Sequence, residues 1–100
     1  MPEKTALDEQ TATLVAQLFS TLSDASKVRI ISVLAEQEMN VGMLAEAVEL
    51  SESAVSHHLR GLRQMRLVRT RKEGRFVFYL LDDEHVAELF RVGMDHVLHG

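Results

Sequence analysis

VGMLAEAVELSESAVSHHLRGLRQMRLVRTRKEGRFVFYLL, residues 41–81, is the stretch from which the fold can be read. Leu44 and Val48 stand one helical turn apart, and Asn40 ahead of them can cap a short helix by accepting a free backbone N–H. A three-residue break, Glu49-Leu50-Ser51, follows. Ser51 caps a second helix that runs to about Met65, with Val55, Leu59 and Leu62 at i, i+4, i+7 as its apolar stripe. The other face presents Ser53, Ser56, His57, Arg60 and Arg63, while His58 lies on the inward side and is read as structural. The period then falls to two. Residues 67–71 and 75–81 are rich in Val, Thr, Phe and Tyr, with Lys72-Glu73-Gly74 as the turn between them, which predicts a β-hairpin.

Working outward, residues 8–22 contain little to break a helix, and Leu14, Val15, Leu18, Phe19 and Leu22 recur at helical spacing. Asp24 caps a further helix ending near Glu38, with Val28, Ile31, Leu34 and Ala35 as its stripe. Asp82 or Asp83 caps a last helix to about Leu98, whose apolar residues are Val86, Leu89, Phe90 and Val97. The expected fold is mainly α with a β-hairpin wing, in one domain spanning residues 1–100, with no internal repeat or linker. A composition of 46% hydrophobic and 26% charged residues is that of a folded globular chain and excludes disorder. No apolar run approaches the roughly 20 residues of a membrane span. The opening MPEKTALDEQ lacks an apolar signal-peptide core, so a cytoplasmic location is expected. With no cysteine, disulfides and thiolate metal sites are excluded, and the five histidines become the place to look for chemistry.

The net charge of −4 argues against a nucleic-acid partner only until its distribution is examined. Residues 1–50 carry three basic and eight acidic side chains, and residues 77–100 carry one basic and five acidic. Residues 51–76 carry seven basic side chains (Arg60, Arg63, Arg66, Arg69, Arg71, Lys72, Arg75) against two acidic. Local charge sets the field at a binding surface. A short helix, a tight turn and a second helix with an outward polar face form a helix-turn-helix, whose second helix enters the DNA major groove. The hairpin, with Arg71, Lys72 and Arg75, would be the wing that reaches the phosphate backbone. A solvated charged face is the plainer reading of Arg60 and Arg63 alone; the cap, the helix pair and the basic hairpin together favour double-stranded DNA.

The stretch quoted above resembles the winged helix-turn-helix of the ArsR/SmtB metalloregulators. SAVSHHLRGLR followed by GRFVFYLL carries the likeness, and LSDASKVRIISVLAE resembles the family's second helix, although Ala25 stands where many members have proline. The resemblance extends from about Leu14 to His99. It implies a homodimer with the N- and C-terminal helices at the interface. It also implies Ser53, Ser56 and His57 as readers of bases or phosphates, with Arg60 and Arg63 in support.

The last helix carries Asp83, His85, His96 and His99, a D-x-H-x10-H-x2-H array. His85 and His96 point within about 20° of each other but lie about 16 Å apart along the axis. Zinc–nitrogen bonds are about 2.0–2.1 Å, so one chain cannot bring all four groups to one ion. Two such helices packed antiparallel across a twofold axis can, giving two equivalent sites per dimer. Four surface groups of no special role are the plainer alternative. The resemblance agrees with a metal site, since zinc-sensing members carry this pattern on their last helix. Where other members place cysteines for arsenic, mercury, cadmium or lead, this chain has EMNVGML, and Met39 and Asn40 cannot replace thiolates.

Three imidazoles and a carboxylate suit Zn(II), with Co(II) as a substitute. Ni(II) is less favoured, because nickel sensors of the family tend to add ligands and this sequence stops one residue after His99. The resemblance further implies that His96 donates its second ring N–H to a backbone carbonyl near Arg66, coupling metal to DNA. Together these expectations describe a metal-responsive repressor. Its competitors are a winged-helix regulator with a silent histidine array, or a nickel or cobalt sensor. A small zinc hydrolase is disfavoured, because four protein ligands leave no open coordination position.

Overall fold

Asp8, Asp24, Asn40, Ser51 and Asp83 each stand just ahead of a helix with a side-chain oxygen on a free backbone N–H, and they divide the chain into its elements. The computed structural model describes residues 6–100; residues 1–5, which begin the segment read above as lacking a signal-peptide core, lie outside the described residues. The order is α1 (Glu9–Thr21), α2 (Ala25–Leu34), α3 (Val41–Val48), α4 (Glu52–Gln64), β1 (Val68–Glu73), β2 (Phe76–Leu81) and α5 (Glu84–His99). Among the described residues, no helix is long and apolar enough to cross a membrane.

The core forms where α2, α3 and α4 meet the base of the hairpin. Ile30, Ile31 and Leu34 of α2 pack with Leu44, Ala45 and Val48 of α3 and with Val55, Leu59 and Leu62 of α4. Leu67, Val68 and Val86 close the cluster. Each fully buried aliphatic side chain stabilises the fold by about 1.5–3 kcal/mol, so this helix trio holds the molecule together.

Three structural features, two of them departures from the sequence reading, have physical causes. First, α2 stops at Leu34 rather than near Glu38, and Ala35 is exposed. The polar run Glu36-Gln37-Glu38 offers nothing to bury. Beyond it Met39 exchanges backbone hydrogen bonds with Tyr79, donating at 3.2 Å and accepting at 2.8 Å. A two-stranded ribbon is marginal by itself, and this bridge fastens it to the helical body. Second, the hairpin is tighter than predicted. The antiparallel ladder runs from Val68↔Leu81 to Glu73↔Phe76, which leaves Gly74-Arg75 as the turn. Gly74 takes φ 62 at the first central position, a conformation glycine adopts at little cost. Third, the stripe of α1 is not a core face. None of its residues is buried; Leu18 and Leu22 touch the core, while Leu14 and Phe19 are more than half exposed.

Candidate DNA interface and metal half-sites

The Ser51 hydroxyl accepts from the Ala54 N–H at 3.0 Å and sets the start of α4 against the end of α3. Glu49, at the intervening turn, sits in the left-handed region with φ 60, which lets the chain reverse within three residues. With Val55, Leu59 and Leu62 buried, Ser53, His57, Arg60 and Arg63 are exposed and Ser56 is half-buried on the opposite face. The helix ends in a Schellman turn: the Leu67 N–H donates to the Leu62 carbonyl at 2.9 Å and the Arg66 N–H to the Arg63 carbonyl at 3.0 Å. Arg66 occupies the left-handed position that glycine usually fills, with φ 59.

His58 is inward and half-buried, as the sequence reading placed it. Its Nδ1 lies 3.4 Å from Lys27 Nζ and 3.9 Å from Asp24 Oδ2, so it ties α4 to the start of α2. Asp24 accepts the Lys27 and Ser26 N–H groups, and these two hydrogen bonds hold its pKa below the usual 3.8.

The wing cations differ from one another. Arg71 donates through Nε to Glu38 Oε1 at 2.8 Å, its Nη2 lies 2.7 Å from the same oxygen, and Nη1 reaches Glu73 at 3.1 Å. Its guanidinium also lies 5.1 Å over the Phe78 ring. Glu38 first and Glu73 second raise its pKa above the ordinary value, so it is a charged but already neutralised group. Charge counting along the sequence could not reveal this partner, which lies 33 residues away. Lys72, near the end of β1, and Arg75, in the turn, have no carboxylate partner among the described residues.

At the other end of the molecule, Asp83 caps α5 by accepting the His85 and Val86 N–H groups at 2.9 and 3.3 Å with one oxygen. Its second oxygen faces His85 Nδ1 at 3.4 Å. Desolvation works to raise the Asp83 pKa, but the Val86 N–H, the His85 ring and the His85 N–H outweigh it, so the carboxyl lies below its ordinary value. The His85 side chain is 96% exposed. Asp83 and His85 are thus brought together, whereas His96 and His99 sit exposed in the last turns of α5, at its far end. Among the described residues of one chain, no three His, Asp or Glu side chains gather as a metal site. No hydrogen bond joins the His96 ring to a carbonyl near Arg66 among them either.

Between the two ends of α5 lies an apolar surface. Val92, Met94, Val97 and Leu98 are exposed, Val97 by 81%. A groove of about 380 Å³ runs between α2 and α5, lined by Val28, Leu89, Phe90, Gly93, Met94 and Val97. Leu14, Val15 and Phe19 of α1 are exposed as well, and exposed apolar faces of this kind mark interaction surfaces.

Comparison with known proteins places these features in a lineage. Residues 24–70 match the model of the family described as bacterial regulatory protein, arsR family. The chain is 50% identical over 96 residues to the transcriptional repressor SmtB homolog of Synechocystis sp., covering 96% of this chain and 71% of that protein. It is 42% identical over 94 residues to the cadmium resistance transcriptional regulatory protein CadC homolog of Staphylococcus aureus, covering 93% and 78%. Among solved structures, the homodimeric winged helix-turn-helix DNA-binding domain from Mycobacterium bovis superposes with a TM-score of 0.82 at 27% identity, over 100% of this chain and 96% of that one. The helix pair, the hairpin wing and these relatives agree, and the chain belongs to the arsR family of bacterial regulatory proteins, DNA-binding repressors of the winged helix-turn-helix fold.

Proposed function

We propose that this chain is a cytoplasmic, metal-responsive transcriptional repressor that works as a homodimer, with residues 1–100 as one DNA-binding and metal-sensing unit. The metal-free dimer holds double-stranded operator DNA with its two α4 helices in successive major grooves roughly 34–36 Å apart. Ser53, Ser56 and His57 read bases or nearby phosphates, and Arg60 and Arg63 support them. Lys72 and Arg75 reach the backbone from the wing tip, with Arg71 braced behind them. The reading is regulatory and not catalytic, as the relatives are transcriptional regulators.

Asp83 and His85 of one subunit, with His96 and His99 of the other, would hold Zn(II) at two equivalent sites. The donor set fits. One Asp83 oxygen is free of the cap and faces an exposed imidazole, and three imidazoles with a carboxylate are suited to Zn(II), with Co(II) as substitute and Ni(II) less suited. Bound there, the ion supplies a link between the two last helices. Its occupancy favours a dimer of low operator affinity, so genes of metal efflux or storage are transcribed. With the ion bound, His96 would carry the coupling by donating its second ring N–H to a carbonyl near Arg66, a bond the metal-free chain does not make.

The observation that carries this reading is the division of four donors between the two ends of one helix whose middle is apolar and uncovered. An antiparallel second copy would cover the middle and bring the halves together. The relatives support it: one bears the name of a repressor, another that of a cadmium resistance regulator, and a structural neighbour is a homodimer. The test is operator affinity measured with and without Zn(II), Co(II) and Ni(II). Zinc is expected to lower it most; an affinity that no metal alters would leave a winged-helix regulator with a silent array.

A further inference from the structure

Between the outward face of α4 and strand β2 lies a recess of about 330 Å³, lined by Ser56, Leu59, Arg60, Arg63, Gln64 and Tyr79. Every polar side chain in this lining can donate a hydrogen bond and none is a carboxylate. Arg60 and Arg63 stand one turn apart on a single helix face, a spacing at which like charges repel. Neither has a carboxylate partner among the described residues, in contrast to Arg71 and Arg91. An anion seated between them relieves that repulsion.

Tyr79 has no part in the reading above, yet it is among the most firmly held residues of the wing. It pairs with Thr70 across the ladder, exchanges two backbone hydrogen bonds with Met39, and rests its ring against the core. Its hydroxyl meets no other protein group among the described residues and is not sealed from water. It is a fixed donor at the wall of a cationic recess.

The position of the recess identifies the anion. A helix lying in the major groove and a wing reaching across the neighbouring groove straddle one sugar–phosphate strand, and the recess lies between helix and wing. We propose that it seats a phosphodiester of the DNA backbone, and that the Tyr79 hydroxyl donates to that phosphate beside Arg60 and Arg63. This rests on the DNA-binding reading above and adds to it a residue and a place.

The test uses labelled random-sequence duplex DNA, since a backbone contact needs no operator. Tyr79→Phe keeps the ring and the bridge to Met39 and removes only the hydroxyl. Its affinity for the duplex is expected to fall about five- to tenfold. The slope of log affinity against log salt stays unchanged, because no charge is lost, whereas Arg60→Gln flattens it by about 0.9. Equal affinity in Tyr79→Phe and parent would overturn the proposal. Tyr79 is the chain's single tyrosine, so 3-fluorotyrosine labelling of the parent gives one fluorine resonance. That resonance should shift when random duplex is added, and an unmoved signal at saturation counts against the proposal even if the variant folds poorly. Free phosphate shares the chemistry. If inorganic phosphate at constant ionic strength shifted the fluorine resonance yet left duplex affinity unchanged, the recess would be a separate anion site and the backbone assignment would be wrong. A parent that bound no duplex at low salt would bring down the DNA-binding reading itself.

Discussion

Arg71 illustrates how a residue's neighbours change what its charge can do. Two carboxylates and an aromatic face already meet its guanidinium, so DNA would have to displace Glu38 and Glu73 to use it. Arg71→Ala is therefore expected to lower the urea midpoint slightly, through lost cation–π and ion-pair contacts, while leaving the salt slope of DNA binding nearly intact. Lys72→Ala should flatten that slope by about 0.9 with no loss of stability. Titrations at several salt concentrations, beside urea unfolding, decide between the two assignments. The sequence shows seven cations in 26 residues but not which are matched, because the matching carboxylate of Arg71 comes from the loop after α2. The inward placement of His58 was legible, since it follows from its position relative to Val55, Leu59 and Leu62 on one helix.

Element ends were legible wherever a side chain makes the end. Asp24, Asn40 and Ser51 cap the helices predicted for them, and the alternative between Asp82 and Asp83 resolves to Asp83. Ends made by the backbone were not legible. Glu49 and Arg66 adopt left-handed conformations that favour glycine, and nothing in their side chains announces it. Arg66→Gly is accordingly expected to stabilise the free protein by about 0.5–1 kcal/mol, read as a higher urea midpoint with an unchanged slope. The cap of α2 predicts a pH effect. The Asp24 pKa lies below its unfolded value, so its charge stabilises the folded state fully above about 3.8, and that contribution is lost as the pH falls through the lower folded value. Asn still caps a helix, so the stability difference between parent and Asp24→Asn should be present at neutral pH and shrink towards zero in acid. A difference that persisted unchanged below pH 3 would rule this out.

The whole molecule, 57 × 30 × 21 Å, is elongated, and its uncovered apolar faces on α1 and α5 extend beyond the compact helix trio. Periodicity gave those stripes their helical spacing but not their cover, which only the family resemblance assigned, to a homodimer interface. The proposed shared sites give a test by mixing. Asp83→Ala and His96→Ala homodimers should each bind zinc poorly, whereas mixed dimers recover one intact site, the other having lost both groups. Tight zinc binding by either variant alone would refute the sharing. Reciprocity adds a further expectation: operator DNA must weaken zinc binding by the factor by which zinc weakens DNA binding, measurable by competing with a chelator. The uncovered face of α1 has one more consequence. A protomer that finds no second copy keeps Leu14 and Phe19 in water and leaves α1 held by little more than Leu18 and Leu22. If the chain dimerises as proposed, its lifetime in a cell would depend on its own abundance. Dilution below the dimerisation threshold by growth and division would leave the loosely held first helix open to proteases, and the remaining pool would be cleared faster than dilution alone would clear it.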